Sequence, residues 1–170
     1  MQLYICFLNS MVENSKNLLI KLIFFISIIA LVSAFFIEYV LGHQPCNLCI
    51  LERIPYLLAI IIILLNFKFS HYEKFFILFL SIIFLAGAII SIYHLGIEQG
   101  FIKESLVCDL KSGSNLLSKE EILKQLQEKN VSCKDVTFKI FGLSLTSYNI
   151  LISLLITIST GKVYFNYEKN

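Results

Sequence analysis

Two of the five cysteines in this 170-residue chain stand three positions apart, in Pro45-Cys46-Asn47-Leu48-Cys49. A C-x-x-C pair suits a small-ring dithiol/disulfide couple, and this spacing often draws one thiol pKa down toward the working pH. Arg53 follows Cys49 by one helical turn, where a fixed positive charge would stabilise a thiolate or a reduced anionic acceptor. If a helix starts near Cys49 or Ile50, that cysteine lies at the positive end of its dipole, which favours the thiolate there. Cys108 and Cys133 lie far apart in one long polar stretch. A bridge between them would close a sizeable ring, as a structural disulfide or as an exposed one that exchanges with other thiols. Two further readings fit the same four residues: a four-cysteine zinc site, although such sites usually use two close pairs, and two purely stabilising disulfides. A C-x-x-C bridge is an odd brace, because so short a loop removes little chain entropy. Redox chemistry therefore leads.

The elements that must carry these cysteines are apolar. Hydrophobic residues make up 57% of the chain and charged residues 15%, with mean hydropathy +0.78, against about 25% charged in a soluble domain. A net charge of +2 and the lack of a Lys/Arg cluster argue against nucleic-acid binding. Four blocks are long enough to cross a bilayer: about residues 18–41, 50–69, 75–97 and 145–165. They are continuous rather than alternating, which excludes barrel strands. The expectation is an all-α integral membrane protein, a single domain over 1–170 built as a four-helix transmembrane bundle. Pro55 falls in the first or second turn of the second span, with a modest local distortion. Tyr39, Tyr56, Tyr93, Tyr148 and Tyr164 sit near span ends, as an aromatic belt requires.

Lys16, Lys21, Lys68, Lys74, Lys162 and Lys169 flank one side, whereas the short 42–53 loop carries only Arg53. By the positive-inside rule both termini are cytoplasmic, and the 98–144 loop faces outward. Four of the five cysteines then lie on a side that permits disulfides, and Cys6 is a bystander. Within the long loop Ser118-Lys119-Glu120-Glu121 has capping-box form, and the residues after it read as a short amphipathic helix. Glu38, Glu52, His43 and His71 read as interface residues. His94, near the outer end of the third span, could hydrogen-bond the polar head of an acceptor or be a satisfied interfacial histidine. No P-loop, H-E-x-x-H, G-x-G-x-x-G or G-x-S-x-G is present.

Taken together, Pro45-Cys46-Asn47-Leu48-Cys49-Ile50-Leu51-Glu52-Arg53, Tyr93-His94-Leu95-Gly96-Ile97-Glu98, Phe141-Gly142-Leu143-Ser144 and Tyr148-Asn149 resemble the bacterial disulfide bond formation protein B (DsbB) family. The likeness covers most of residues 18–165. Phe138 and Tyr148 stand where family members often carry Trp, and the 108–133 loop differs in detail. The resemblance implies a relay in the bacterial inner membrane, with periplasmic redox loops. A periplasmic DsbA-like thioredoxin-fold oxidase attacks at Cys108, whose loop partner is Cys133. Electrons pass to Cys46, the more exposed member of its pair, and Cys49 reduces a bound quinone (ubiquinone or menaquinone). Arg53 stabilises the charge, and His94 contacts the quinone head. A non-catalytic membrane scaffold braced by two disulfides is the alternative.

Overall fold

The computed structural model describes residues 2–103, 133–134, 139–140 and 142–169. Helix α1 runs over Gln2–Tyr39. A short α2, Asn47–Leu51, precedes α3, Ile54–Lys68, and a 3-10 turn at Ser70–Tyr72 leads into α4, Glu73–Glu98. Strands β1, Lys139–Ile140, and β2, Leu143–Ser144, pair antiparallel, and α5 follows directly as Leu145–Lys169. Gly142 takes φ +82° in the turn between the strands, a backbone state open to glycine at no steric cost. Among the described residues, four segments are long and apolar enough to cross a membrane: Lys16–Tyr39, Asn47–Lys68, Glu73–Glu98 and Leu145–Asn166. The expected all-α membrane bundle is what forms. Its first helix begins well before the apolar block, because nothing between Gln2 and Leu18 breaks a helix. The amphipathic segment after Ser118 and Phe138 lie outside the described residues, as does most of the 98–144 loop.

The interior is sparse, as befits a bundle whose outer solvent is hydrocarbon. Ile20 and Ile23 of α1, Ala59, Ile62 and Ile63 of α3, Leu80 and Phe84 of α4, and Ile156 of α5 form the main buried cluster. Residues such as Leu22, Phe25, Ile61, Leu85, Ile89 and Leu155 point outward. Lipid is as apolar as these side chains, so close packing and interhelical polar contacts must hold the helices together. A close backbone approach occurs at Gly87 on α4, where an added Cβ would lie 2.9 Å from Cγ of Pro55. The most extensive contact is α4 on α5, while α1 packs chiefly on α3. At the lysine-rich end, Lys16 is paired with Glu73 at 3.4 Å and Lys74 lies over the Tyr164 ring.

Pro55 does more than distort the second span. It starts α3 in the first helical turn, where its missing N–H costs nothing, and the chain breaks at Glu52–Arg53 between α2 and α3. Glu52 N still bonds Leu48 O at 3.0 Å, but Arg53 N turns to Ile50 O at 3.1 Å. This break, absent from the sequence-based expectation of one helix, turns two charged side chains inward at membrane depth.

Candidate redox site

Cys46 is the N-cap of α2, and its Sγ accepts the backbone N–H of Cys49 at 3.2 Å. The thiols of Cys46 and Cys49 are free and hydrogen-bonded to each other at 2.7 Å. Cys46 is buried, at 6% exposure, while Cys49 is half-buried, the reverse of the exposure expected from sequence. The cap position explains it: the Cys46 side chain folds back over its own helix start and packs with Ile97 and Cys133. The feature that favours a thiolate is therefore centred on Cys46 rather than Cys49. The Cys49 thiol hydrogen bond holds the Cys46 pKa well below the ordinary thiol range, at about 5, against the opposing effect of burial. His94 and the Cys49 N–H add to the lowering.

Three residues that read as interfacial in the sequence prove to be interior. Glu52 is buried, with its Oε1 2.8 Å from Nδ1 of His94. His94 is 2% exposed, and its Nε2 lies 3.5 Å from Cys46 Sγ. Tyr56 is buried and donates its hydroxyl to Oδ1 of Asn149, so it belongs to the core and not to an aromatic belt. Asn149 also donates to Glu52 Oε2 at 3.2 Å and to Ser91 Oγ at 2.7 Å, and Ser91 donates to Gly87 O at 3.0 Å. Thr146 donates to Glu98 Oε1 at 2.6 Å. The second span, α4 and α5 thus meet through one continuous polar network around the cysteine pair. A usable signal is present in the sequence: Glu52, Ser91, Thr146 and Asn149 are polar residues within membrane-spanning segments, where such groups are costly unless paired.

A cavity of about 460 Å³ opens beside this network. Ile26, Ile29, Ala30 and Ile37 of α1 and Ile152 of α5 give it apolar walls, while Cys49, Arg53, His94 and Glu98 gather at its polar end. Arg53 is paired with Glu38 at 2.5 Å and lies over the Phe35 ring at 5.2 Å. Glu38 is thus the partner of Arg53 rather than a free interface anchor. Oε2 of Glu98 is buried and has no hydrogen-bond partner among the described residues. Such a site suits a flat apolar ring carrying carbonyl or hydroxyl oxygens: the walls take the ring, Arg53 can donate, and Glu98 can accept.

Cys133 is disulfide-bonded and lines the same cavity. Its partner is neither Cys46 nor Cys49, both of which are free, and lies outside the described side chains. Cys108 is outside the described residues, and Cys6 is on α1 with its side chain outside them. A four-cysteine zinc site is not formed, since a bridged sulfur cannot serve as a thiolate ligand. The sulfurs of the two free thiols and a ring nitrogen of His94 all lie within 4.8 Å of one another. Cys46, Cys49, Arg53, His94 and Cys133 thus share one site.

The family model described as "Disulfide bond formation protein DsbB" matches residues 16–162. The chain belongs to the DsbB family. The match takes in the first three spans, most of the fourth and the cysteines from Cys46 onward, and the family implies a membrane disulfide oxidoreductase. A relative, "Uncharacterized protein RP370" of Rickettsia prowazekii (strain Madrid E), is 33% identical over 150 residues, spanning 85% of this chain and 86% of its own. The N-terminal turns of α1 before Lys16 lie outside the region that the DsbB family model matches.

Proposed function

We propose that this DsbB-family protein is a quinone-linked thiol oxidase of the bacterial inner membrane. It re-oxidises a periplasmic DsbA-type dithiol oxidase and so sustains disulfide formation in exported proteins. The observation that carries the reading is the meeting of a bridged cysteine, Cys133, with the free Cys46/Cys49 pair at the polar end of one apolar cavity. Both termini are cytoplasmic in this reading, and the Cys46–Cys49 end faces the periplasm, in keeping with Lys16, Lys68, Lys74 and Lys162 at the opposite end.

The partner's thiolate attacks the loop disulfide, which we assign to Cys108 and Cys133. One loop sulfur bonds to the partner, and the other leaves as a thiolate. Resolution by the partner's second thiol releases the oxidised partner and a loop dithiol. That dithiol reduces a Cys46–Cys49 disulfide by the same two exchanges. A quinone held against Cys49, Arg53 and His94 would supply the two-electron, two-proton acceptor. Cys46 is buried and Cys49 half-buried beside the apolar walls, and Arg53 offers a fixed positive charge that does not depend on pH. The partner couple, at about −120 mV, is so oxidising that only a strong terminal acceptor can draw electrons from it.

The test is quinone-dependent oxidation of a reduced DsbA-type protein by purified protein in detergent, with Cys→Ser variants at positions 46, 49, 108 and 133. Turnover that requires all four and survives Cys6→Ser is the expected result. A folded wild-type protein that reduces neither ubiquinone nor menaquinone would overturn the reading in favour of a braced scaffold.

A further inference from the structure

We propose that Glu52 is a positioning residue, which fixes His94 in the tautomer and orientation that make its imidazole the acid–base partner of Cys46. The inference rests on the reading of Cys46/Cys49 as a working redox pair and adds to it the group that moves the proton.

The hydrogen-bond directions decide the tautomer. Nδ1 of His94 faces two oxygens, Glu52 Oε1 at 2.8 Å and Thr146 Oγ1 at 3.3 Å. The Thr146 proton is already given to Glu98 Oε1, so Thr146 can only accept from Nδ1, as the Glu52 carboxylate does. Nδ1 therefore carries hydrogen, and Nε2 is left facing Cys46 Sγ at 3.5 Å. A ring nitrogen bound to a carboxylate on one side and aimed at a nucleophilic sulfur on the other is the constellation in which imidazole takes up and returns a thiol proton. Glu52 is held as firmly as the ring. Its second oxygen accepts from Asn149, which is itself tied to Tyr56 of α3 and Ser91 of α4.

Other charges near the ring are few. Cys49 lies behind Cys46, and Glu98 Oε1 is 3.7 Å from Nε2 on the same helix. Arg53 is paired with Glu38 of α1, and the Tyr56 hydroxyl bonds Asn149, which also bonds Glu52. His43 and Tyr148 line the cavity that the ring also borders. Glu52 bonds Nδ1 of His94, whose Nε2 faces Cys46 Sγ, and the proposed effect of Glu52 on Cys46 passes through that ring.

The step balances as an exchange. Cys46 gives its proton to Nε2, and the thiolate attacks one sulfur of an opposing disulfide. A new S–S bond forms at Cys46, the old one breaks, and the departing thiolate takes the proton from His94. No electron or proton is gained or lost overall. In the opposite direction, His94 protonates Cys46 as it leaves a mixed disulfide.

The experiment follows the Cys46 thiol directly, with no quinone and no protein partner. Reduced full-length protein in detergent is alkylated with iodoacetamide across pH, and the rate at Cys46 is read by peptide mass spectrometry. Glutathione disulfide serves as the exchange probe. Glu52→Gln keeps shape and hydrogen-bonding capacity but removes the charge. It is expected to lower Cys46 alkylation and exchange by about tenfold at about pH 6, with rates recovering at about pH 10. His94→Asn should give the same profile, and the double variant should add nothing further. Glu52→Asp should recover much of the wild-type profile. A Glu52→Gln profile matching wild type, in protein with an unchanged melting temperature, would overturn the inference, as would additive effects of the two variants. The shifted profile in a protein that reduces no quinone would support this inference and sink the electron route instead, so the two failures are separable.

Discussion

The Arg53 guanidinium meets the Glu38 carboxylate at 2.5 Å, and this pair ties α1 to the break between α2 and α3. Arg53 also lines the cavity, and its guanidinium lies over the Phe35 ring. The charge that the redox reading assigns to the acceptor is thus shared in advance with a carboxylate and anchored in direction. Replacing Arg53 by Gln removes the donor and the stacked plane together. The KM for a soluble quinone analogue should rise about tenfold, the loss expected for one charge-assisted hydrogen bond. The pH profile of Cys46 alkylation should stay where it is. Steady-state quinone reduction with a saturating dithiol measures the first, and an unchanged KM would remove Arg53 from the acceptor site.

Reduction of the pair should make stability depend on pH. The Cys46 pKa of about 5 in the folded protein lies below the ordinary thiol value of about 8.5 in an unfolded chain. Between these values the unfolded state binds more protons, so stability rises with pH. The contribution is complete above about pH 8.5 and lost as pH falls through about 5. The melting temperature of reduced wild type, taken relative to Cys46→Ser, should climb across that window. A flat difference would show that Cys46 is not held as a thiolate.

Loss of the outer bridge should separate two half-reactions. Cys133→Ser is expected to abolish oxidation of a protein dithiol while leaving quinone-dependent oxidation of dithiothreitol, a small thiol that can reach the Cys46–Cys49 pair unaided. Both activities can be followed by quinone absorbance in the same preparation. If protein-dithiol oxidation persisted in Cys133→Ser, the loop pair would not be part of the route.

Asn149 is the joint of the polar network, with bonds to Tyr56, Glu52 and Ser91 from three different elements. Asn149→Leu has similar volume but leaves those partners unsatisfied in a setting with little water. A cost of about 3 kcal/mol is expected, seen as a lower denaturation midpoint in detergent. A variant as stable as wild type would mean that the network is rebuilt through other groups.

Much of the architecture is legible in the order of residues alone. A bilayer leaves a chain few options, so continuous apolar runs of sufficient length can only be spanning helices, and all four appear where the runs lie. Charge at the span ends can likewise be read locally. Local reading misplaces Glu52 and Tyr56 at the interface, and the family resemblance made Cys46 the more exposed thiol. Distance along the chain to a span end says nothing about which way a side chain faces once the helices pack. The span break at Glu52–Arg53 turns Glu52 inward, and no periodicity signals that rotation.

Sequence by itself determined that this is a four-span membrane protein with a C-x-x-C pair at the start of the second span and an arginine one turn beyond. Those facts depend only on run length and local spacing, which chain connectivity enforces. Tertiary structure alone decided that His94 would stand between Cys46 and Glu52, that Asn149 would hold Glu52 in place, and that Cys133 would come to the same cavity. Those pairings join groups remote in sequence. They depend on how far each helix is turned about its axis and how closely Gly87 lets α4 approach Pro55, which only the packed bundle sets.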